Sequence, residues 1–344
     1  MNSGNRFGAH RVIEPPFALP KAALRLDNQS PLLDNEIGIR VESLHITSTS
    51  FTRLWQDAAQ DEKRFAASIM DIVNRQGKFQ DPETGSGGVL LGTVDFIGPQ
   101  LKVDLLPNDP IVTLVSLAQT PLRLQKINKI YPSLGQVVVD GYAILFESGL
   151  WAKLPDDLPR ELALMVLDVA GAPAYANRYV KPGQRVLVIG GGKAGLLCMH
   201  EAKKKIGTNG QIILVEKDEE RAQRARSLGL ADNLIITDAR NGLEVLRQVE
   251  NFTGGALADI SFNFASLPNA EMSVILSTRS EGKIIFYSMS TNFSQAALGA
   301  EGVGKSLEMI IGNGYIPGHA QIALQILRDN KPLREYFSGL IKQK

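Results

Sequence analysis

The sequence has almost no cysteine, almost no net charge and no long apolar run. Cys198 is the single cysteine among 344 residues, so an intrachain disulfide is excluded and a reducing, cytoplasmic location is expected. Lys and Arg total 37 against 36 Asp and Glu, and a charge of +1 gives no electrostatic reason to expect nucleic acid or a membrane as a partner. No apolar segment approaches the roughly 18 to 20 residues of a membrane-spanning helix, and the first residues lack the apolar core of a signal peptide.

The length and the composition predict two domains. A chain of 344 residues with 44% hydrophobic and 21% charged residues has ordinary globular composition and apolar material for two cores. Up to about residue 152 the pattern indicates strands separated by Pro and Gly turns, with one helix predicted over 61–76. The pattern then changes, so we expect a β-rich domain over 1–152 and a different domain after it.

In the second domain short apolar strands alternate with segments of helical length. This alternation predicts an α/β fold with a doubly wound parallel sheet and helices on both faces. A further strand is predicted near 306–311, and a helix followed by a short end is predicted in the tail from His319. The main strands are predicted over 185–189, 211–215, 233–236, 259–263 and 283–288, and the helices over 194–206, 219–228, 243–249 and 269–276.

A glycine-rich turn, VLVIGGGKAG, follows the first of these strands and opens the first helix. Gly190 permits the tight turn, Gly192 lets a pyrophosphate approach the backbone, and Gly195 lets the helix pack closely on the sheet. The N–H groups at the helix start, at Lys193 and Ala194, are suited to phosphate oxygens. The turn therefore predicts a dinucleotide site in a Rossmann domain, although a glycine-rich structural turn is the alternative.

An acidic residue, Glu216, ends the next predicted strand, 21 residues after Gly195. Its carboxylate can accept both hydrogen bonds from an adenosine ribose diol and would repel a 2′-phosphate, so the sequence favours NAD over NADP. Lys217 and Arg221 are close enough to weaken that preference. Lys217 and Ser288, which ends a later predicted strand, are included among the expected cofactor-binding residues.

Two other nucleotide-binding classes share parts of this pattern. Methyltransferases that use S-adenosylmethionine have a similar turn and acid, but a β-rich domain ahead of the turn argues against them. The segment 299–306, GAEGVGKS, matches a phosphate-binding loop letter by letter. Such a loop needs a strand directly before it, and the preceding predicted strand ends at Ser288, so we expect a mobile glycine-rich loop instead.

Blocks along nearly the whole chain resemble a known family. VKPGQRVLVIGGGKAGLL and VEKDEERAQRARSLGLAD resemble the medium-chain dehydrogenase/reductase superfamily. A narrower resemblance is to the L-erythro-3,5-diaminohexanoate dehydrogenases, a zinc-free family of that superfamily. It is carried by GAHRVIEP, DNEIGIRVESLHI, TGSGG, TLVSLAQTPL, AILFESGLWAKLPDDLP, LDVAGAPA, ALGAEGVGK and GNGYIPGH.

The resemblance implies a GroES-like first domain over 1–152, completed by 320–344, and a Rossmann domain over 153–319. It implies homodimers or homotetramers joined through Rossmann sheet edges. The implied reaction is NAD-dependent oxidative deamination of 3,5-diaminohexanoate to 5-amino-3-oxohexanoate and ammonia, in lysine fermentation. The chain departs from the family where an acidic residue is expected near Thr47, so its substrate could differ.

The resemblance also bears on metal binding. Zinc members of the superfamily place cysteine at the position of Thr47 and Ser48, Gly-His-Glu where Ser86 begins a Ser-Gly-Gly segment, and cysteine near Asp168. None of these ligands is present, and the whole chain has four histidines. Because catalytic zinc needs three protein ligands, we expect no metal.

The implied chemistry requires a base, because an ammonium must lose a proton before its carbon can be oxidised. Asp168 is the candidate, since it lies in the apolar segment LALMVLDVAGAPA, where an unpaired charge is costly. A helix-end aspartate bound by backbone N–H groups is the alternative. His10, His45 and His319 are expected to be structural.

A diamino acid also needs anchors of both signs. The expected contributors, each of which has an ordinary loop or surface role as its alternative, are Ser48, Ser50, Ser86, Glu147, Lys305 and Asn313. A zinc-free quinone or enone reductase and a non-catalytic dinucleotide-binding protein remain alternatives to the amino-acid dehydrogenase.

Overall fold

The contacts within the chain divide it into two compact units. The computed structural model describes residues 2–29, 31–312 and 314–342. The first unit contains Met1–Asp168 and Phe337–Lys344, and the second contains Val169–Tyr336. The division falls 16 residues after the predicted boundary at 152, and the return to the first unit starts at Phe337 rather than at 320. One reason is helix α3 (Arg160–Leu167), whose Arg160 forms an ion pair with Glu42 of the first unit at 3.0 Å.

The first unit is built around an antiparallel sheet. Its strands are β1 (Val12–Glu14), β2 (Arg25–Leu26), β3 (Glu36–Ile46), β4 (Gly88–Ile97), β5 (Pro110–Thr113), β6 (Leu122–Tyr131), β7 (Gln136–Phe146) and β8 (Trp151–Lys153). The short strands β1 and β2 pair with each other, and the main sheet has the order β6-β7-β3-β4-β5-β8. Strand β3 is central, and its buried residues Ile37, Ile39 and Val41 belong to the core of this unit.

Two helices follow the central strand of this unit. The predicted helix over 61–76 is confirmed as α2 (Glu62–Gln76), which begins where the Asp61 side chain accepts the N–H of Arg64. Helix α1 (Ser48–Asp57) was not predicted from the sequence. A run of Ser and Thr has weak helix propensity. The helix forms because Phe51 is buried 4.7 Å from the ring of Phe65 in α2.

The second unit has a parallel sheet with the strand order β11-β10-β9-β12-β13-β14. Its strands are β9 (Arg185–Ile189), β10 (Gln211–Glu216), β11 (Asn233–Ile236), β12 (Ala258–Asn263), β13 (Thr278–Phe286) and β14 (Leu307–Ile311). The chain first builds outward from β9 to β11 and then returns to add β12 on the other side of β9. This is the doubly wound Rossmann order with its reversal between β9 and β12, so the predicted α/β class is confirmed.

The helices of this unit cover the sheet and fill the connections between strands. They are α4 (Gly171–Tyr179), α5 (Lys193–Ile206), α6 (Glu219–Ser227), α7 (Gly242–Thr253), α8 (Glu271–Ser277), α9 (Phe293–Gly302) and α10 (His319–Asp329), followed by α11 (Lys331–Lys342) across the division. Helices α3 and α4 were not predicted, because the segment around Asp168 is apolar on nearly every side and has no helical period. The tail continues into α11 instead of ending shortly after α10.

The segment 299–306 is part of a helix followed by a strand. It begins within α9 and ends just before β14, so the expectation of a mobile glycine-rich loop was wrong. A phosphate-binding loop requires the opposite order, a strand and then a helix. The prediction that this segment is not a phosphate-binding loop is therefore confirmed. Among the described residues no helix has both the length and the apolar character needed to cross a membrane.

Candidate functional site

The glycine turn lies directly after β9 in the second unit. Gly190 has φ 98°, a conformation that glycine adopts without strain. A Cβ on Gly195 would lie 2.0 Å from the carbonyl oxygen of Gly190, so helix α5 can approach the strand only with glycine there. A Cβ on Gly192 would meet nothing within 4 Å, which leaves open space on that side of the turn. These three positions fit the demands of a bound pyrophosphate.

The turn lies at the point where the sheet order reverses. A Cβ on Gly190 would lie 3.2 Å from the backbone nitrogen of Ala265, which follows the neighbouring strand β12. Ligands of open α/β sheets bind in the crevice at this reversal. Lys193 and Ala194 are half-buried in the first turn of α5, where the first N–H groups have no partner within the helix. An anion is well placed to accept hydrogen bonds there.

Glu216, the last residue of β10, faces the glycine turn. Its side chain is buried, with 8% of the residue exposed. Oε2 accepts the backbone N–H of Gly191 at 2.8 Å, and Oε1 accepts the N–H of Asp218 at 3.1 Å. The carboxylate is thus held beside the turn, where the hydroxyls of an adenosine ribose would be its partners. Lys217 is exposed.

Ser288 lies at the same edge of the sheet, because parallel strands end on the same side. It is buried just after β13, and its N–H donates to the carbonyl of Asn263 at 3.2 Å. Its Oγ accepts the N–H of Ser290, also at 3.2 Å. The structure therefore brings the predicted cofactor residues of the second unit to one edge, and their role in binding stays a prediction.

In the first unit, the predicted substrate serines meet where α1 begins. The hydroxyls of Thr47 and Ser86 lie 2.8 Å apart, and those of Ser50 and Thr84 lie 2.7 Å apart. Ser48 is exposed in the first turn of α1. Thr47, Ser48, Ser50, Thr84 and Ser86 are called here the hydroxyl cluster. Ser50 is fully buried against Thr84, so its expected contact with a substrate is not supported, whereas Thr47, Ser48 and Ser86 are at least partly exposed and can hydrogen-bond an ammonium or a carboxylate. Their role toward a substrate stays a prediction.

Asp168 contacts a histidine that the sequence did not connect with it. It follows α3 as the C-cap residue, and its Oδ2 lies 3.4 Å from Nε2 of His45. The side chains are 12% and 1% exposed, respectively. His45 is in β3, two residues before Thr47. The one sequence signal was a histidine just ahead of the hydroxyl-rich segment, and it was interpreted as structural.

Two predicted substrate residues lie elsewhere. Glu147 is at the far end of β3 from Ser48, since Phe146 pairs with Glu36. The eleven residues of β3 make ten steps of about 3.4 Å, which separate the two ends by about 34 Å. Glu147 lies 3.3 Å from the amide of Asn35 and 4.0 Å from the guanidinium of Arg6. The expectation that Glu147 joins the serines was therefore wrong.

The ammonium of Lys305 is engaged in the fold of the second unit. Nζ donates to the carbonyls of Ile275, Leu276 and Thr278 at 3.2, 2.5 and 2.6 Å. An ammonium has three hydrogens, so all are used at the end of α8. We therefore correct its expected role from substrate anchor to helix C-cap. Asn313, another expected anchor, lies outside the described residues.

Among the residues that the structure describes, no group of three or more His, Cys, Asp or Glu side chains could hold a metal ion. His10 instead contacts Glu36 at 2.7 Å. His319 is buried at the start of α10, and burial lowers its pKa.

The antiparallel unit and the doubly wound sheet define the medium-chain dehydrogenase/reductase fold. Comparison with solved structures agrees. The Escherichia coli quinone oxidoreductase complexed with NADPH matches with a TM-score of 0.54 and 17% identity, over 90% of this chain and 81% of that chain.

Sequence comparison gives the family. A model of the L-erythro-3,5-diaminohexanoate dehydrogenase N-terminal domain matches residues 10–155. The L-erythro-3,5-diaminohexanoate dehydrogenase of Acetoanaerobium sticklandii is 47% identical over 98% of this chain and 99% of its own. The enzyme of that name from Fusobacterium nucleatum is 46% identical over 99% of both chains. The chain belongs to the L-erythro-3,5-diaminohexanoate dehydrogenase family.

Proposed function

We propose that this protein catalyses the NAD-dependent oxidative deamination of L-erythro-3,5-diaminohexanoate to 5-amino-3-oxohexanoate and ammonia. The observation that carries the proposal is the near full-length identity, 47% and 46%, to two dehydrogenases named for this substrate. Identity of that extent covers the glycine turn and the serine-rich segments outside it. The enzyme is therefore an oxidoreductase acting on an amino group.

The buried carboxylate of Glu216 supports NAD as the cofactor. Its Oε2 accepts the N–H of Gly191 at 2.8 Å, and a carboxylate held beside the turn can also accept hydrogen bonds from ribose hydroxyls. A 2′-phosphate in the same position would bring a second anion against a carboxylate that has 8% of its surface exposed. NADP is therefore the disfavoured cofactor, although the quinone oxidoreductase with this fold was crystallised with NADPH.

The reaction needs a protein group that accepts a proton from the substrate. When bound, the nicotinamide dinucleotide would supply the acceptor for a hydride, which carries the two electrons of the C3–H bond of the substrate. Asp168 takes a proton from the ammonium at C3 of the substrate, leaving the neutral amine that can be oxidised to an imine. Water then adds to the imine carbon, and ammonia leaves. One substrate in its ammonium form, one water and one NAD+ give one ketone, one ammonium ion, one proton and one NADH.

The hydroxyl cluster supplies polar contacts for a substrate that carries charges of both signs. Thr47 and Ser86 form one hydroxyl pair, and Ser48 is exposed beside them. Hydroxyls donate to a carboxylate and accept from an ammonium, so they serve either end of a diamino acid. Glu147 is left out because it lies at the other end of β3, and Lys305 because its three hydrogens are bonded.

The test is a two-product assay with purified protein. Substrate and NAD should give NADH and ammonia in equal amounts, and Asp168→Asn should lose about 100-fold or more of kcat, the contribution of a positioned general base. NADP at the same concentration should react more slowly. Absence of both products with the wild type overturns the proposal, and quinone reduction by NADPH would favour the reductase instead.

A binding experiment separates the nucleotide classes without turnover. A ligand present at 100 times its dissociation constant stabilises a protein by about 2.7 kcal/mol. NAD should raise the melting temperature, whereas S-adenosylmethionine and ATP should leave it unchanged. A rise with S-adenosylmethionine alone would remove the dehydrogenase proposal.

We also propose that the protein assembles as a homodimer or homotetramer through the edge strand β14. This strand pairs only with β13 in the described part of the chain, and Ile311 on it is exposed. An edge strand offers unpaired N–H and carbonyl groups to a second copy. A monomer mass by light scattering at micromolar concentration would contradict this.

A further inference from the structure

The contact between His45 and Asp168 joins a fixed ring to a partly exposed carboxylate. His45 is held by ladders on both sides of β3, opposite Val89 in β4 and Gln136 in β7. Its ring is 1% exposed, so both its backbone and its side chain are constrained. Asp168 ends a helix and keeps 12% of its side chain exposed. Nε2 of His45 lies 3.4 Å from Oδ2 of Asp168, so a proton on Nε2 would face that carboxylate oxygen.

We propose that His45 is the positioning residue for the base: its Nε2–H holds Oδ2 of Asp168 and thereby fixes the direction of Oδ1. A carboxylate group is planar. Once Cβ, Cγ and Oδ2 of Asp168 are held, the position of Oδ1 is therefore set as well. The catalytic role inferred for this contact rests on the proposed function, whereas the contact itself does not depend on that function.

A second imidazole–carboxylate pair in the same unit shows what a purely structural pair looks like. His10 contacts Oε1 of Glu36 at 2.7 Å, and Arg11 donates to both oxygens of Glu36, at 2.9 and 2.7 Å. The N–H of Leu33 adds a further bond at 2.8 Å. Glu36 is completely buried, so no substrate reaches it. Asp168 differs because part of its side chain is exposed, and His10 serves as the matched control.

Two replacements of His45 separate positioning from packing. Glutamine keeps an N–H near the place of Nε2, whereas methionine fills a similar length without a donor. We expect His45→Met to lower kcat by about 10- to 100-fold, as when the outer partner of a catalytic group is removed. The KM and the NAD affinity should stay within about two-fold, and His45→Gln should recover most of kcat. Equal losses in both variants, or a change in KM alone, would overturn the inference.

The control and a double variant complete the kinetic test. His10→Met should lower the melting temperature and leave kcat unchanged. Adding His45→Met to Asp168→Asn should lower kcat by a much smaller factor than His45→Met does in the wild type, because the effects of residues that act as one unit are not additive. If His45→Met lowers kcat by the same factor in the wild type and in Asp168→Asn, His45 does not act through Asp168.

A spectroscopic measurement distinguishes failure of this inference from failure of the proposed function. The chain has four histidines, so selective nitrogen-15 labelling gives few ring signals to assign. One ring, assigned through His45→Gln, should carry its proton on Nε2, and its signal should move in Asp168→Asn while that of His10 stays. If the wild type does not turn over 3,5-diaminohexanoate but still shows these ring signals, only the proposed substrate is refuted. A His45 signal unmoved by Asp168→Asn refutes the positioning role.

Discussion

The carboxylate of Glu216 accepts the backbone N–H of Gly191 at 2.8 Å, although 25 residues separate the two in the chain. The bond joins the acidic end of β10 to the glycine turn after β9, so one acid both holds the turn and lies beside the position proposed for the nucleotide. Charge-assisted hydrogen bonds of this kind are the stronger ones in proteins. The nucleotide preference of the enzyme should therefore depend on this residue.

Replacing Glu216 with Gln should weaken NAD binding by about 10- to 100-fold, the value of a hydrogen bond to a charged group. The NADP affinity should fall less, because the repulsion of its 2′-phosphate disappears. Titration calorimetry with both nucleotides measures the ratio. Glu220→Gln, a change at an exposed residue of α6, is the control. An unchanged ratio would show that Glu216 does not contact the ribose.

Alanine substitutions at Gly195 and Gly192 should separate an effect on stability from an effect on NAD binding. At Gly195 the new Cβ would meet the oxygen of Gly190 at 2.0 Å, so Gly195→Ala should destabilise by about 1–3 kcal/mol. At Gly192 it meets nothing within 4 Å, so Gly192→Ala should keep the melting temperature and weaken NAD binding. Thermal melts and NAD titrations test both variants. A stable Gly195→Ala variant with normal NAD affinity would contradict the close-approach argument.

Glu36 should make the stability of the protein depend on acid pH. Burial would raise its pKa, but hydrogen bonds from Arg11 and His10 outweigh burial and lower the pKa from 4.5 to about 2. A carboxylate with a lowered pKa stabilises the folded state fully above 4.5, and this contribution is lost as the pH falls toward 2. A shift of this size corresponds to about 3 kcal/mol at neutral pH.

The measurement compares Glu36→Gln with the wild type at two pH values. At pH 7 the variant should melt well below the wild type, and at pH 3 the gap should be clearly smaller. Glu14→Gln, at an exposed position, should show no gap at either pH. A gap that is constant between pH 7 and pH 3 would mean that the charge of Glu36 does not stabilise the fold.

Lys305 should matter for stability rather than for substrate binding. Lys305→Met leaves the carbonyls of Ile275, Leu276 and Thr278 without their donor, which should cost about 1–3 kcal/mol. The KM for the diamino acid should stay within about two-fold, as measured in the NADH assay. A KM raised ten-fold with an unchanged melting temperature would return Lys305 to the substrate site.

Removal of metal should leave the activity intact. The positions expected to hold zinc ligands in related enzymes carry Thr47, Ser48, Ser86 and Asp168, and a catalytic zinc needs three protein ligands. Dialysis against a chelator should not change kcat, and mass spectrometry should find well under one zinc per chain. Activity that is lost with the chelator and restored by zinc would refute this.

The dinucleotide turn and its acid could be predicted because their signals are local. Gly190, Gly192 and Gly195 follow an apolar strand within a few residues, and the next strand ends at Glu216. Such a strand–turn–helix unit is encoded by the spacing of residues that are close together in the chain. The alternation of strands and helices likewise predicted the sheet and its class.

The placement of the other residues depends on contacts that spacing does not contain. His45 and Asp168 are 123 residues apart, and the register of β3 together with the packing of α3 brings them to 3.4 Å. The same register moves Glu147 to the far end of the strand, and the end of α8 takes the ammonium of Lys305. Periodicity and propensity act over a few residues, whereas these partners are selected by strand pairing and burial across the whole unit.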